Sequence, residues 1–261
     1  MAMIPPDTNG TLQDCRVAVL VKALPHPSQK NGETVCCAGV TSDGTWKRLY
    51  PVRFRHLSSD AAFKRWHWVD YRYHRPTHDA RPESCHVHEE SIAIGGELPK
   101  AERSRILEPI LVASTRVAME RGQSLALLRP QNTLFYWKQK SKADLASEVE
   151  HIRAHSRQAS FLDKELPDFE PTPYEFRFKF RDAEGAEHDC ENGDWEAHAM
   201  YWRWSKKYGS NDALKKMGEK FNDEYPKLGM AFAQGTLFKR PNIWTLLGVI
   251  RLDRYVQPDL F

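Results

Sequence analysis

The chain has 261 residues, 41% hydrophobic and 28% charged, with a net charge of +3 at pH 7. That balance excludes wholesale disorder and a histone-like polycation, and it suits one large domain or two small ones. No apolar run is long enough to span a bilayer and no basic-then-apolar leader follows Met1, so a cytoplasmic protein with no membrane partner is expected. Five cysteines without repeating spacing suggest reduced thiols rather than a disulfide framework.

Residues 1–13 carry two prolines and no periodicity, which predicts a loose tail. Cys15 to Leu24 alternates valines with Ala18 and Leu20, a strand buried on both faces. Residues 34–40 and 46–50 form two strand-like runs around Asp43-Gly44, a strong hairpin signal because Gly supplies positive φ without strain. The period of two places Trp46, Arg48 and Tyr50 on one face of the second run, with Lys47 and Leu49 on the other. Phe54 to Arg65 predicts a short helix capped by Ser58 or Ser59, with Phe63 inward, and Trp66 to His74 another strand. Cys85 to His88 is strand-like, and Gly95-Gly96 and Pro99 mark a boundary.

Beyond Lys100 the pattern turns helical, over 101–107 and 110–121, broken at Pro109. Short strands are predicted over 124–130 and 133–139, and a helix over 141–160 from Leu145, Val149 and Ile152. After a proline-marked linker, Tyr174 to Phe180 alternates four aromatics with Glu175, Arg177 and Lys179, a half-buried strand. Asp194 is placed to cap a helix over 195–208, Gly209 ends it, and a second helix buries Leu214, Met217 and Phe221. Strands over 230–234 and 244–251 close the chain.

Eight Lys or Arg face two Asp between Trp46 and Arg75, a local charge of +6, twice that of the whole chain. Aromatic rings are interleaved with them. Stacking platforms beside cations are what single-strand binders use, so Trp46, Arg48, Tyr50, Arg53, Arg55, Trp66, Trp68 and Arg72 are the candidate nucleic-acid contacts. The competing reading makes the rings core and the cations a solvated rim.

Two other groups could carry chemistry. His74, His78, Asp79, Cys85, His86 and His88 form a His-rich segment with His78, His86 and His88 as the candidate ligands, and His86 and His88 share a strand face as zinc ligands can. No second element with matching spacing follows, so no metal or cofactor is expected there. Asp189, Asp194 and Glu196 could converge on a divalent cation in a hydrolase. Against this, a hairpin tip and a helix N-terminus are ordinary places for acids. No phosphate-binding loop, dinucleotide fingerprint or nucleophile elbow is present. The chain ends in Gln257-Pro258-Asp259-Leu260-Phe261, which fits the Q-x-x-L-F pattern that docks on the bacterial sliding clamp through Gln257, Leu260 and Phe261. Gln234-Gly235-Thr236-Leu237-Phe238 fits it too.

The run from Val19 to Val52, with Thr34-Val35-Cys36-Cys37-Ala38-Gly39-Val40, Asp43-Gly44 and Trp46-Lys47-Arg48-Leu49-Tyr50-Pro51-Val52, resembles the opening of OB-type domains in bacterial families encoded near phage-defence and mobile-element genes. The resemblance implies a nucleic-acid-facing role in genome defence or DNA maintenance and brings no catalytic residues. The expected fold is α+β: an OB-like antiparallel barrel module over 14–98, a helical middle over 99–165, and a C-terminal antiparallel sheet with two helices over 166–261. The leading expectation is a non-enzymatic nucleic-acid binder. A metal-dependent nuclease or base-processing enzyme, and a clamp-docking interaction protein, are the alternatives.

Overall fold

Alternating apolar residues and tight turns build the first module from seven strands. These are β1 (Gln13–Lys22), β2 (His26–Ser28), β3 (Gly32–Thr34), β4 (Cys37–Val40), β5 (Trp46–Tyr50), β6 (His67–His74) and β7 (Ser84–Glu97). The computed structural model describes residues 11–24, 26–28, 32–54, 57, 61–156 and 170–253. Five of the strands close on themselves in the order β1-β4-β5-β7-β6, with β6 returning to β1. All pairs are antiparallel except β5 with β7. The β4–β5 turn follows the sequence: Gly44 takes φ 82°, and Thr41 Oγ1 accepts the Thr45 N–H at 3.0 Å. A Cβ on Gly39 would sit 2.5 Å from the Ala18 carbonyl oxygen, so only glycine lets β4 lie this close to β1.

The inward face of this barrel is apolar and includes Val17, Val19, Cys37, Leu49, Phe63, Val69, Tyr71, Cys85 and Val87. Part of the outward face is apolar as well. Ala18, Leu20, Ala38, Val40 and Trp46 form one cluster with Leu125, Leu127, Ala231, Ala233 and Ile250 of the second module. Hence β1 is buried on both faces from Val17 to Val21, as its unbroken apolar run predicts.

The second module begins after α1 (Lys100–Leu107) and a 3-10 turn at Glu108–Ile110. It contains β8 (Leu111–Val112), α2 (Thr115–Glu120), β9 (Leu125–Leu128), β10 (Gln131–Gln139) and α3 (Lys142–Ser156). There follow β11 (Tyr174–Arg181), β12 (Glu187–Glu191), α4 (Trp195–Tyr208), α5 (Ser210–Glu219), a π-helical segment at Lys220–Glu224, and α6 (Tyr225–Leu228). The hairpin β13 (Met230–Leu237) and β14 (Arg240–Arg251) completes it. Two sheets result, β14-β13-β9-β8 and β10-β11-β12. Phe176, Phe178 and Phe180 of β11 pack with Phe135, Met217, Phe221 and Phe232 in the module's core.

Mixed α+β architecture with an N-terminal sheet and C-terminal sheets is therefore present. The helical middle is not a unit of its own: β9 pairs with β13, and β10 pairs with β11. Gly95-Gly96 does not end the first module, because β7 runs through both to Glu97. Of the predicted helix over 54–65, Ser58 and Ser59 lie outside the described residues, and 61–66 is turn and coil with Phe63 buried. Among the described residues no helix is long and apolar enough to cross a membrane.

Candidate nucleic-acid interface

The register of the barrel assembles a patch that spacing along the chain conceals. Parallel pairing sets Tyr50 beside His86, and antiparallel pairing sets His86 beside His74. One row further, His88 lies beside Arg72, and Arg72 beside Asp14. Their strand neighbours Leu49, Cys85, Tyr73 and Val87 point into the barrel, so alternation turns this whole set outward. His74 stacks on His86 with ring centroids 4.5 Å apart. His74 Nδ1 and His88 Nε2 lie 3.1 Å apart in a hydrogen bond whose donor depends on the tautomer, and His88 Nδ1 is 3.4 Å from a Glu90 carboxylate oxygen. Tyr50 is 40% exposed. Arg72 is exposed, and Ser91 Oγ accepts its backbone N–H at 2.8 Å. A shallow cleft continues past Arg72 along Asp14, Arg16 and Asp70. There the Arg16 guanidinium lies 5.4 Å from the Trp68 ring centroid, and Arg16 Nη2 donates to the Gly95 carbonyl at 3.1 Å.

Trp46 and Arg48 leave this surface. They do face outward, but onto the second module: Trp46 joins the apolar contact and Arg48 is only 3% exposed. Arg48 Nη2 donates to the Ser124 carbonyl at 3.1 Å and to its hydroxyl at 3.3 Å. The buried Glu83 carboxylate accepts the Ser124 N–H at 2.8 Å and hydroxyl at 2.6 Å. An arginine on an aromatic strand face thus serves a charged contact between modules, not phosphate. Trp66 is also buried, with φ 73°, and its ring lies under the Arg103 guanidinium at 4.1 Å. Arg103 in turn binds Asp253 at 2.7 Å and Glu97 at 2.9 Å. Arg53 Nε pairs with Glu89 at 2.8 Å. Arg55 lies outside the described residues. Of the eight sequence-derived contacts, Tyr50, Arg72 and half-buried Trp68 remain on the patch. Arg16 and the pairing of Tyr50 with His86 are what linear reasoning missed, because the parallel β5–β7 contact leaves no local signal.

The carboxylates do not converge. Asp194 is 1% exposed and caps α4 through the Glu196 N–H at 3.0 Å. Its two oxygens also take Arg65 Nη2 at 2.7 Å each, and one takes the Val249 N–H at 2.9 Å. Every acceptor direction is used inside the protein. Burial pushes the Glu196 carboxyl up, but the Lys22 ammonium at 2.9 Å and Arg65 outweigh it and hold the group below the usual range. Asp189 sits on β12, where both carboxylate oxygens accept from the Tyr136 hydroxyl at 2.8 Å, and Arg177 Nε donates at 2.9 Å. Burial raises Asp189, and Tyr136 and Arg177 overcome that to leave it lowered. His78 is exposed and takes no part in the histidine cluster, whose third ring is His74. Among the described residues no group of three or more His, Cys, Asp or Glu could hold a metal ion. Gln257, Leu260 and Phe261 lie outside the described residues. In the internal copy of that pattern Gln234 is buried in β13, so it cannot reach a partner.

Two family models match the chain. One, described as Domain of unknown function (DUF8758), covers residues 13–109. The other, described as Domain of unknown function (DUF8757), covers residues 111–261. No curated protein and no solved structure matches.

Proposed function

The chain belongs to the family described as Domain of unknown function (DUF8757), whose model spans more than half its length, and we propose that it is a nucleic-acid-binding protein that takes single strands across the outward face of its barrel. The observation that carries this reading is the row Tyr50–His86–His74, with His88 and Arg72 beside it. Phenol and imidazole rings offer flat faces to bases, and each base–aromatic stack contributes about 1–3 kcal/mol. Arg72 supplies a guanidinium where a phosphate backbone would run, and Arg16 extends the path toward Trp68. Seven of the eleven histidines lie from His26 to His88, so the module is rich in flat rings on which bases can stack.

A five-stranded closed sheet is the framework on which OB domains bind oligonucleotides, generally on the face of the second and third strands. Here the corresponding strands are β4 and β5, and Trp46 and Val40 are packed against the second module. The end of β5 at Tyr50, together with β7 and β6, is the adjoining face. That placement favours binding displaced by one strand around the barrel.

Anisotropy titration against single- and double-stranded DNA and RNA, repeated over a salt series with chelator, tests the reading. Affinity for single strands should fall with salt, and the double variant Arg72→Ala, His74→Ala should bind about tenfold or more weakly with a flatter salt slope. No binding to any of the four polymers, or a double variant that binds as the parent does, would refute it.

A further inference from the structure

The hairpin joining β13 to β14 turns in two residues, because Leu237 pairs with Arg240. Two-residue hairpin turns favour Asn, Asp and Gly, which accept positive φ. Here the turn is Phe238-Lys239, and neither residue has positive φ. Turn chemistry therefore does not account for these side chains. Behind the turn the partner of successive β13 residues jumps from Trp244 to Arg240, so Pro241, Asn242 and Ile243 bulge from the strand. Leu237, Phe238 and Ile243 are all exposed, Phe238 at 53%. Lys239 and Arg240 stand exposed beside them.

This tip is anchored rather than loose. Arg81 Nη1 donates to the Thr236 carbonyl at 2.9 Å, and its guanidinium lies 5.7 Å from the Phe238 ring centroid. Asp79 holds Arg81 from the other side at 2.6 Å, and Thr245 Oγ1 donates to the Gly235 carbonyl at 3.1 Å. The anchor leads back to the histidine strand: Asp79 Oδ2 also accepts from the Ser84 hydroxyl at 2.7 Å, and Ser84 pairs with Arg48 on β5, two residues before the Tyr50–His86 pair.

Rigid apolar side chains flanked by cations are the means by which proteins part stacked bases. The cations fit a polyanion, which singles out nucleic acid over an apolar protein groove. Resting on the single-strand reading of the barrel face, the geometry points to a junction as the substrate: a single strand lies over Tyr50, His86, His74 and Arg72, and the end of a duplex meets the hairpin, with Phe238 wedged against its terminal base pair. The protein would thus recognise where paired strands part.

A tailed duplex with 2-aminopurine in the base pair next to the tail reports unstacking by its fluorescence. Full-length protein at saturation should raise the emission. Phe238→Ala should abolish the rise and weaken binding to the tailed duplex by about fivefold or more, while binding to the single strand alone stays within twofold. Phe238→Tyr should keep the rise. Protein that binds single strands but leaves the fluorescence unchanged, or a Phe238→Ala variant that retains the rise, overturns the wedge and leaves the single-strand reading standing. Failure to bind any strand overturns both. Binding to vesicles of anionic lipid, lost in Phe238→Ala and without any response to oligonucleotides, would assign the tip to a membrane surface and overturn both as well.

Discussion

Replacing Arg48 with Met separates a surface role from a structural one. The substitution keeps most of the side-chain stem and removes the guanidinium. It deletes the bonds from Nη2 to the Ser124 carbonyl at 3.1 Å and hydroxyl at 3.3 Å. Arg48 and Glu83, 3% and 6% exposed, are joined through Ser124, so Glu83 keeps its two bonds from Ser124 while the buried contact loses its cation. Breaking one partner of a buried charged network costs about 3–5 kcal/mol, and single bonds from a charged donor about 1.5–3 kcal/mol. We expect a loss of about 3 kcal/mol, a large part of the roughly 5–15 kcal/mol that holds a native protein together. Urea unfolding followed by tryptophan fluorescence and far-UV circular dichroism measures it. Arg48→Met combined with Glu83→Gln should recover part of the loss, because both charges are then gone. Oligonucleotide affinity of the folded single variant should stay within twofold. A variant of unchanged stability that binds strands more weakly, with a flatter salt slope, would mean that Arg48 meets phosphate and does not hold the contact between modules.

Asp194→Asn should destabilise the protein by about 3 kcal/mol in the same assay, since Arg65 loses its carboxylate partner at the module contact and α4 loses its charged cap; a neutral effect would show that the contact is open in solution. His198 is buried between Thr172 and Asn192, its Nε2 3.1 Å from the Asn192 carbonyl oxygen. Burial depresses it from 6.5 to about 4, outweighing that hydrogen bond. Between those values the unfolded chain binds a proton that the folded chain refuses. Stability from this group is therefore whole above pH 6.5 and is lost as pH falls toward 4, by about 2 kcal/mol at pH 5. Urea midpoints at pH 7.5 and 5 should differ more for the parent than for His198→Gln; equal differences would remove His198 as the cause.

Much of the local structure was legible in the residues. Asp43-Gly44 is a hairpin turn, Tyr174 to Phe180 buries its aromatics, Asp194 caps α4, and Gly209 ends it with φ 86°. Each of these depends on neighbours within a few positions, where backbone geometry and the period of side chains are settled by the residues themselves. The candidate site was legible only in part. Tyr50, Arg72, His86 and His88 were visible as residue types of the right chemistry, yet Trp46 and Arg48 were visible in the same way and belong to a different surface.

What the sequence determined by itself was therefore the kind of segment where the local pattern is strong, and where rings and cations are concentrated; it did not hold over 61–66, which is turn and coil where a helix is expected, or at Leu111–Val112, which is strand β8 inside the expected helix over 110–121. The tertiary structure alone decided which outward face of the barrel meets solvent. Alternation tells inside from outside on a strand, but it carries no information about what covers the outside. That depends on Leu125, Leu127, Ala231 and Ile250, which are remote in the chain and arrive only when β9, β13 and β14 pack on β1, β4 and β5. The parallel pairing of β5 with β7, which sets Tyr50 beside His86, is likewise a long-range choice made by closure of the sheet.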